Sequence, residues 1–255
     1  YQYNGDHTEL TLKLRPGVTW SDGQPFTGRD VVFTLTMLKQ NAPKLLWASD
    51  TKLWIKDVSA PDDLTVKITL NSPNPRFMFQ YLMWHQDAGF PIVAEHSFKG
   101  QDAQTFTNYD LAKGLPVVTG PWKLVHSDPQ QKIWDRRDDW WGAKAGFRPL
   151  PKMKRVIVLP LFEGSKLTQL LINNEVDSTH NLSPADSDVA VSKNPKLILR
   201  APDKSRPWGW LDWWTNAINF NDSKPPFDDP DIRWALSYAI DRKQIVDLGF
   251  KGDTQ

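Results

Sequence analysis

Residues 14–35, LRPGVTWSDGQPFTGRDVVFTL, restrict what this chain can fold into more than any other stretch. Leu10, Leu12 and Leu14 alternate with Thr11 and Lys13, the period-2 pattern of a half-buried strand. Ser21-Asp22-Gly23 then breaks the strand, since Asp can bond its own backbone and Gly accepts a positive φ. Thr27 followed by Asp30 has the form of a capping box, which satisfies free N–H groups at a helix start. Val31, Leu35 and Leu38 fall on one face of the predicted helix. Strand, tight turn and capped helix are thus written into one short segment.

The rest of the chain reads as mixed strands and helices. Leu64, Val66, Ile68 and Leu70 alternate with Thr65, Lys67 and Thr69 as a second strand, preceded by a hairpin-type turn at Pro61-Asp62-Asp63. Residues 76–84 predict a short helix with Phe77, Tyr81 and Trp84 on one side, followed by a polar loop from His85 to Gly89. From about residue 111 the texture changes. Strands are predicted over 122–125 and 156–161, and a helix over 165–174 with Leu167, Leu170 and Leu171 clustered. Residues 176–177 and 196–199 read as short strands separated by Ser183-Pro184-Ala185-Asp186. Strand–helix–strand order of this kind argues for an α/β layer. Asp229 can cap a helix that begins at Pro230, where proline is best tolerated. Ile232, Leu236, Ala239 and Ile240 line one face, and Asp241 with Gln244 starts a second helix at a bend.

Composition narrows the function classes. The 255 residues carry a formal charge of +1 without a Lys/Arg run, which argues against nucleic acid as a main partner. No run approaches the ~18 apolar residues of a membrane span. Zero cysteine excludes disulfides and zinc–thiolate sites. Thirteen Trp are present, and their large faces with one edge donor suit sugar rings and peptide side chains, although most Trp fill cores. The first residues have neither the basic start nor the apolar stretch of a signal peptide. The chain begins without Met and stops at Gln255 soon after a helix start. It therefore reads as a processed or excised piece, and the missing export signal says nothing about location.

Five collinear segments carry a family resemblance. Besides residues 14–35 they are Thr119-Gly120-Pro121-Trp122-Lys123-Leu124, Asp138-Asp139-Trp140-Trp141-Gly142, Asn174-Glu175-Val176-Asp177, and Ile218-Asn219-Phe220-Asn221 followed by residues 226–242, PFDDPDIRWALSYAIDR. Together they resemble the family-5 extracytoplasmic solute-binding proteins of ABC importers, which capture oligopeptides, nickel complexes and some oligosaccharides. Asp139 and Trp140 depart in type from that family's N-x-x-Tyr-Trp-Gly turn. The resemblance implies an α/β fold of the periplasmic-binding-protein type (class II), with two lobes around a cleft. Family members are considerably longer. By comparison, residues 1–110 would be the extra subdomain of lobe I, 111–215 its core, and 216–255 the hinge strand and first helices of lobe II. Most of lobe II would be absent, so residues 1–255 alone are expected to bind ligand weakly or not at all.

The sharpest candidate contact segment is WGWLDWWT, residues 208–215, just before the presumed hinge strand. Alternation would put Trp208, Trp210 and Asp212 on one side and Trp213 on the other, with Trp214 rejoining the first group. Indoles beside a carboxylate suit a sugar, and would serve an aromatic or cationic peptide nearly as well. The alternative is packing between layers. Trp84 and His85, with Asp87, form a second candidate, against an incidental surface loop. Trp20, Trp140 and Trp141 occupy motif positions and are expected to be structural. Expected ligand-binding residues are thus Trp210, Asp212, Trp213, Trp214, Trp84 and His85.

Catalytic signals are weak. Asp62/Asp63, Asp138/Asp139 and Asp228/Asp229 are the available carboxylate pairs, but their flanks read as turns or caps rather than the facing pair a glycosidase needs. No G-x-S-x-G elbow is present. The histidines at 7, 85, 96, 126 and 180 show no metal spacing. The expectation is a monomeric, non-enzymatic binding component without cofactor or metal. It would be periplasmic or membrane-anchored, exported with a signal peptide in its precursor, and partnered by a small peptide or oligosaccharide and an ABC permease. Tryptophan density leans toward a sugar and the family's commonest use toward a peptide. The rivals are a secreted glycan-active enzyme or carbohydrate-binding module, and a ligand-sensing domain.

Overall fold

The turn at Ser21-Asp22-Gly23 forms as its chemistry dictates. Gly23 takes φ +89°, its N–H reaches Trp20 O (3.1 Å), and Asp22 accepts from Gln24 N (3.1 Å). These residues belong to a computed structural model that describes residues 1–83, 89–179, 182–199 and 217–252. The chain divides into two compact units, Tyr1–Pro160 and Leu161–Gln255.

In the first unit, β1 (Gln2–Tyr3), β2 (Glu9–Lys13), β3 (Ile55–Asp62) and β4 (Thr65–Leu70) form an antiparallel sheet in the order β1-β2-β4-β3. The alternation read from sequence sets the register: Leu10 lies opposite Ile68 and Leu12 opposite Val66. Helix α1 (Gly28–Gln40) starts on the expected capping box. Thr27 Oγ1 accepts from Arg29 N, and Asp30 Oδ2 accepts from Thr27 N (2.8 Å). Val31, Leu35 and Leu38 then bury against Leu10, Val66 and Ile68. Gly28 is required there, because a Cβ would meet Ala60 Cβ at 2.9 Å and Thr65 O at 3.3 Å. Helix α2 (Ala48–Trp54) leads into β3. The predicted hairpin before β4 forms, with Asp62 accepting from Leu64 N (2.9 Å).

The helix expected over 76–84 is a single π-helical turn, Met78–Leu82, among the described residues. Asn74 Oδ1 accepts from Arg76 N (3.0 Å), and Phe77 plunges fully into the core beside Tyr81 and Phe90. Helix α3 (Glu95–Phe98) is tied back to α1, since Asp30 Oδ1 accepts from Glu95 N (2.9 Å).

A second antiparallel sheet, β5 (Trp122–Ser127), β6 (Lys132–Arg136) and β7 (Arg155–Val158), completes the first unit with the one-turn helix α4 (Trp141–Lys144). The strand expected to reach residue 161 stops at Val158. Pro160 explains the early stop, since it has no N–H to give a ladder. Arg137, buried, joins this sheet to the opening motif: its guanidinium donates to Gly120 O (2.9 Å), Val118 O (3.2 Å) and Trp20 O (3.3 Å). Burial lowers its pKa from the ordinary arginine value, and the charges of Asp139 and Asp22 oppose that shift.

In the second unit, α5 (Gly164–Ile172) packs on α6 (Pro184–Lys193), burying Leu167, Leu171 and Ala190. One sequence expectation fails here: residues 176–177 and 196–199 form no ladder among the described residues. Ser183-Pro184-Ala185-Asp186, the segment between them, starts α6, with Ser183 accepting from Asp186 N (3.1 Å). Asn194 Nδ2 donates to Leu171 O (3.0 Å) and Asn174 Oδ1 (3.1 Å). Helix α7 (Pro230–Ala239) begins at the expected proline under an Asp229 cap on Asp231 N (2.8 Å). After the predicted bend, Asp241 caps α8 (Arg242–Gln244), which runs into a π-helical turn, Ile245–Gly249.

Candidate functional site

The six expected ligand-binding residues, Trp210, Asp212, Trp213, Trp214, Trp84 and His85, lie outside the described residues, as do Trp208 and Asp87. The structure describes the residues that flank two of them: residues 84–88 lie between Met83 and Gly89 in the sequence. The flanks on either side are pinned together: Phe90 N donates to Tyr81 O (2.7 Å), and the two rings stack with centroids 5.0 Å apart.

Tyr81 is the pivot of a polar–aromatic cluster. Its hydroxyl donates to Asp50 Oδ1 (3.1 Å), and its ring meets Trp47 edge-on at 6.3 Å. Burial raises the Tyr81 phenol above its ordinary pKa, and the neighbouring Asp50 carboxylate adds to the rise. Trp47 caps α2 with a left-handed backbone, φ +65°. Its carbonyl accepts from both Thr51 N (2.9 Å) and Thr51 Oγ1 (2.7 Å). The indole Nε1–H is closed off from solvent without an acceptor among the described residues. Sequence reasoning noticed Tyr81 only as one side of a helix and passed over Trp47 and Asp50. No local signal marks them, because a positive φ at a bulky residue is imposed by its surroundings rather than by its type.

The structural readings of the motif tryptophans hold. Trp20 is buried with its Nε1 directed at Asp30 Oδ2 (3.4 Å), and Trp140 is buried. Trp140 and Trp141 both donate their indole N–H to Thr119 O, at 2.9 and 2.7 Å. The adjacent carboxylates are absorbed locally. Asp62 serves its turn, Asp63 meets Arg29 (3.4 Å), Asp138 meets Arg136 (2.7 Å), Asp139 meets Arg137 (3.8 Å), and Asp229 caps α7. His96 pairs with Asp22 and His126 with Asp128, each at 2.7 Å. Hydrogen bonds from His126 and from backbone amides hold the Asp128 carboxyl below its ordinary pKa. No cluster of three or more His, Cys, Asp or Glu suited to a metal occurs among the described residues. No helix among them is long and apolar enough to cross a membrane.

Comparison with known proteins places this architecture. Residues 1–255 match the family described as bacterial extracellular solute-binding proteins, family 5, middle region. The chain belongs to that family. Family-5 relatives include the glutathione-binding protein GsiB of Pectobacterium atrosepticum, 28% identical over 261 residues, matching 99% of this chain and 44% of the relative. The nickel-binding periplasmic protein of Escherichia coli is 26% identical over 265 residues, matching 100% of this chain and 45% of the relative. A periplasmic oligopeptide-binding protein of an ABC transporter from Thermotoga maritima superposes with a TM-score of 0.78 at 23% identity, over 98% of this chain and 44% of that one. The same protein solved with mannohexaose bound gives a TM-score of 0.74. The fold is therefore the α/β fold of family-5 binding proteins, and the chain spans a little under half the length of the relatives it matches.

Proposed function

We propose that this chain is part of the ligand-capturing component of an ABC import system. It acts outside the cytoplasm as a monomer and passes a small oligomeric ligand, peptide or oligosaccharide, to a membrane permease. The observation that carries this reading is membership of family 5 along all of residues 1–255. Relatives named for glutathione and nickel, and a fold neighbour named for oligopeptides and solved with mannohexaose, support a small-ligand role rather than bond-breaking chemistry. The absorption of Asp62, Asp63, Asp138, Asp139 and Asp229 into turns, caps and ion pairs supports the same side. In this reading residues 1–110 are the extra subdomain of lobe I, 111–215 its core, and 216–255 the crossing into lobe II. Trp210, Asp212, Trp213 and Trp214 provide stacking faces and an acceptor near the hinge, and Trp84 and His85 contribute from the loop between Met83 and Gly89. The ligand bridges the lobes and favours the closed form by its differential affinity for it.

The test is mass spectrometry of the protein purified natively from its source organism. One peptide or oligosaccharide released per protein molecule is the expected result. Glycan cleavage by the purified protein, abolished on replacing a carboxylate, would instead establish the hydrolase. Replacing Trp210, Trp213 or Trp214 with Ala should weaken binding by ~1–3 kcal/mol, the scale of aromatic stacking measured for bases. Unchanged affinity in all three variants would remove them from the site.

A further inference from the structure

Helix α1 carries apolar residues on two sides rather than one. Val31, Leu35 and Leu38 meet the sheet, yet Val32, Phe33 and Met37 form a second apolar set, each of them half-buried. Helical spacing sorts that side into two ridges, Val32-Thr36-Gln40 and Phe33-Met37-Asn41, each stepping by four residues. A helix that packs one face on a core ordinarily turns charged and polar residues outward. Here both ridges line a groove of about 660 Å³ between α1 and residues 95–103, with Phe98 contributed from the facing side. That volume falls within the roughly 300–1,000 Å³ of small-ligand sites.

Fixed struts hold the groove at both ends. At the start of α1, the buried Asp30 Oδ1 accepts from Glu95 N (2.9 Å), and one turn on Thr34 Oγ1 accepts from Val93 N (3.0 Å). At the end of α1, Asn41 Oδ1 accepts from Gln104 Nε2 (3.0 Å). The two ends differ in charge. Arg29 lines the first, where the helix dipole is also positive. Asp102 lines the other, where the dipole is negative, and its Oδ1 accepts from the N–H of Gln104 (2.9 Å), the residue that reaches Asn41. Glu95 shares the Arg29 end, but Lys99 neutralises it at 2.9 Å. Arg29 meets Asp63 at 3.4 Å with both side chains exposed, a pair too weak to hold it from a ligand. From Arg29 to Asn41 the helix climbs about 18 Å, at roughly 1.5 Å per residue.

We propose that this groove takes an extended peptide of about five residues, with its free carboxylate at Arg29 and its amino group at Asp102. Five residues at roughly 3.3 Å each match the length between the two charged ends. Apolar side chains of the peptide lie over Val32, Phe33, Met37 and Phe98, and the amides of Gln40 and Gln101 offer donors and acceptors to its backbone. Other ligand classes fit less well. A neutral sugar leaves both charged ends idle and sets hydroxyls against an apolar floor. An acyl chain with an anionic head fills the floor and meets Arg29, but brings nothing to Asp102. The site goes beyond the solute-binding reading above: it lies wholly within Tyr1–Pro160 and uses none of the residues proposed there to hold the transported ligand.

The test photo-crosslinks the natively purified protein to a five-residue alanine–leucine peptide whose central side chain carries a benzophenone, and maps the adducts by mass spectrometry. Adducts are expected on residues 29–41 or 95–104. The dependence of their yield on peptide concentration gives an apparent affinity for this groove alone. Amidating the peptide carboxylate should weaken that affinity about 1.5- to 5-fold in wild type, the worth of one exposed charge pair, and not at all in R29Q. Acetylating the amino group should weaken wild type to the same degree and leave D102N unchanged, since the Asn oxygen can still accept from Gln104 N. Adducts confined to other residues overturn the proposal and leave the solute-binding reading standing. A peptide capped at both ends that labels the groove as well as the free one overturns it too. So does end-capping that weakens R29Q and D102N as much as wild type.

Discussion

Helices α1 and α7 begin in the same way and end in different worlds. Each starts on a side-chain cap, Thr27 for α1 and Asp229 for α7, and each carries an apolar stripe at helical spacing. Yet within residues 1–255 α1 buries Val31, Thr34, Leu35 and Leu38 against a four-stranded sheet, whereas α7 buries none of its side chains. Trp234 and Tyr238 of α7 stack on each other while remaining 61% and 82% exposed. Local chemistry therefore suffices to start and phase a helix. Stability comes from the surface that the stripe meets, because apolar burial contributes roughly 25 cal/mol per Å² and an exposed stripe contributes little of it.

That contrast can be broken or sharpened by measurement. The largest effect is expected from Leu35→Ala, which opens a cavity in the core of the first unit and should cost about 2–5 kcal/mol in urea denaturation. In residues 1–255 by themselves, Leu236→Ala in α7 should change stability by less than about 0.5 kcal/mol, as exposed substitutions do. Equal losses would show that α7 is as deeply packed as α1. Next comes Arg137→Ala, which strands the carbonyls of Val118, Gly120 and Trp20 and should destabilise by about 1–3 kcal/mol. Arg136→Ala next to it, whose partners are exposed or part-buried, provides the control.

The caps test the shared feature directly. Thr27→Ala should lower the unfolding free energy by about 1 kcal/mol, because loss of the box loosens a helix the core depends on. Asp229→Ala should frequently escape a global denaturation assay and show instead as faster amide exchange over the first turn of α7. The smallest effect concerns pH. Arg155 holds the Asp135 carboxyl below its ordinary pKa, chiefly by its hydrogen bonds at 2.6 and 2.8 Å. A depressed carboxylate adds stability above the unfolded pKa, and that contribution fades as pH falls through the lower folded value. Carbon-detected NMR titration should find Asp135 titrating below the usual aspartate range, and Arg155→Gln should return it there. An ordinary titration in the unmodified protein would remove the pair from the account.

Much of the fold was legible because it rests on local chemistry. The capping box at Thr27 and Asp30, the Gly23 turn, the alternation of β2 and β4, and the Pro230 helix start each follow from residue types at fixed spacing. Expectations failed where a partner had to decide. Val176 and Leu197 looked like strand residues, but neither joins a ladder among the described residues. The strand at 156–158 ended where Pro160 removed a donor. Family-5 membership was equally legible, because its five motifs are residue types at fixed local spacing.

The site is another matter. The tryptophan run at 208–215 could be singled out by composition, and it lies outside the described residues. The cluster of Trp47, Asp50 and Tyr81 could not, since residues 31 positions apart meet only after α2 and the π-helical turn pack together. By itself the sequence determined where helices and strands begin, which face of each is apolar, and which family the chain resembles. Tertiary structure alone decided which stripes are covered, which arginine reaches three carbonyls, and which indole is left without an acceptor among the described residues. The physical reason is range: turn and cap bonds close within four residues, whereas burial and the pairing of buried polar groups depend on neighbours the chain brings from far away.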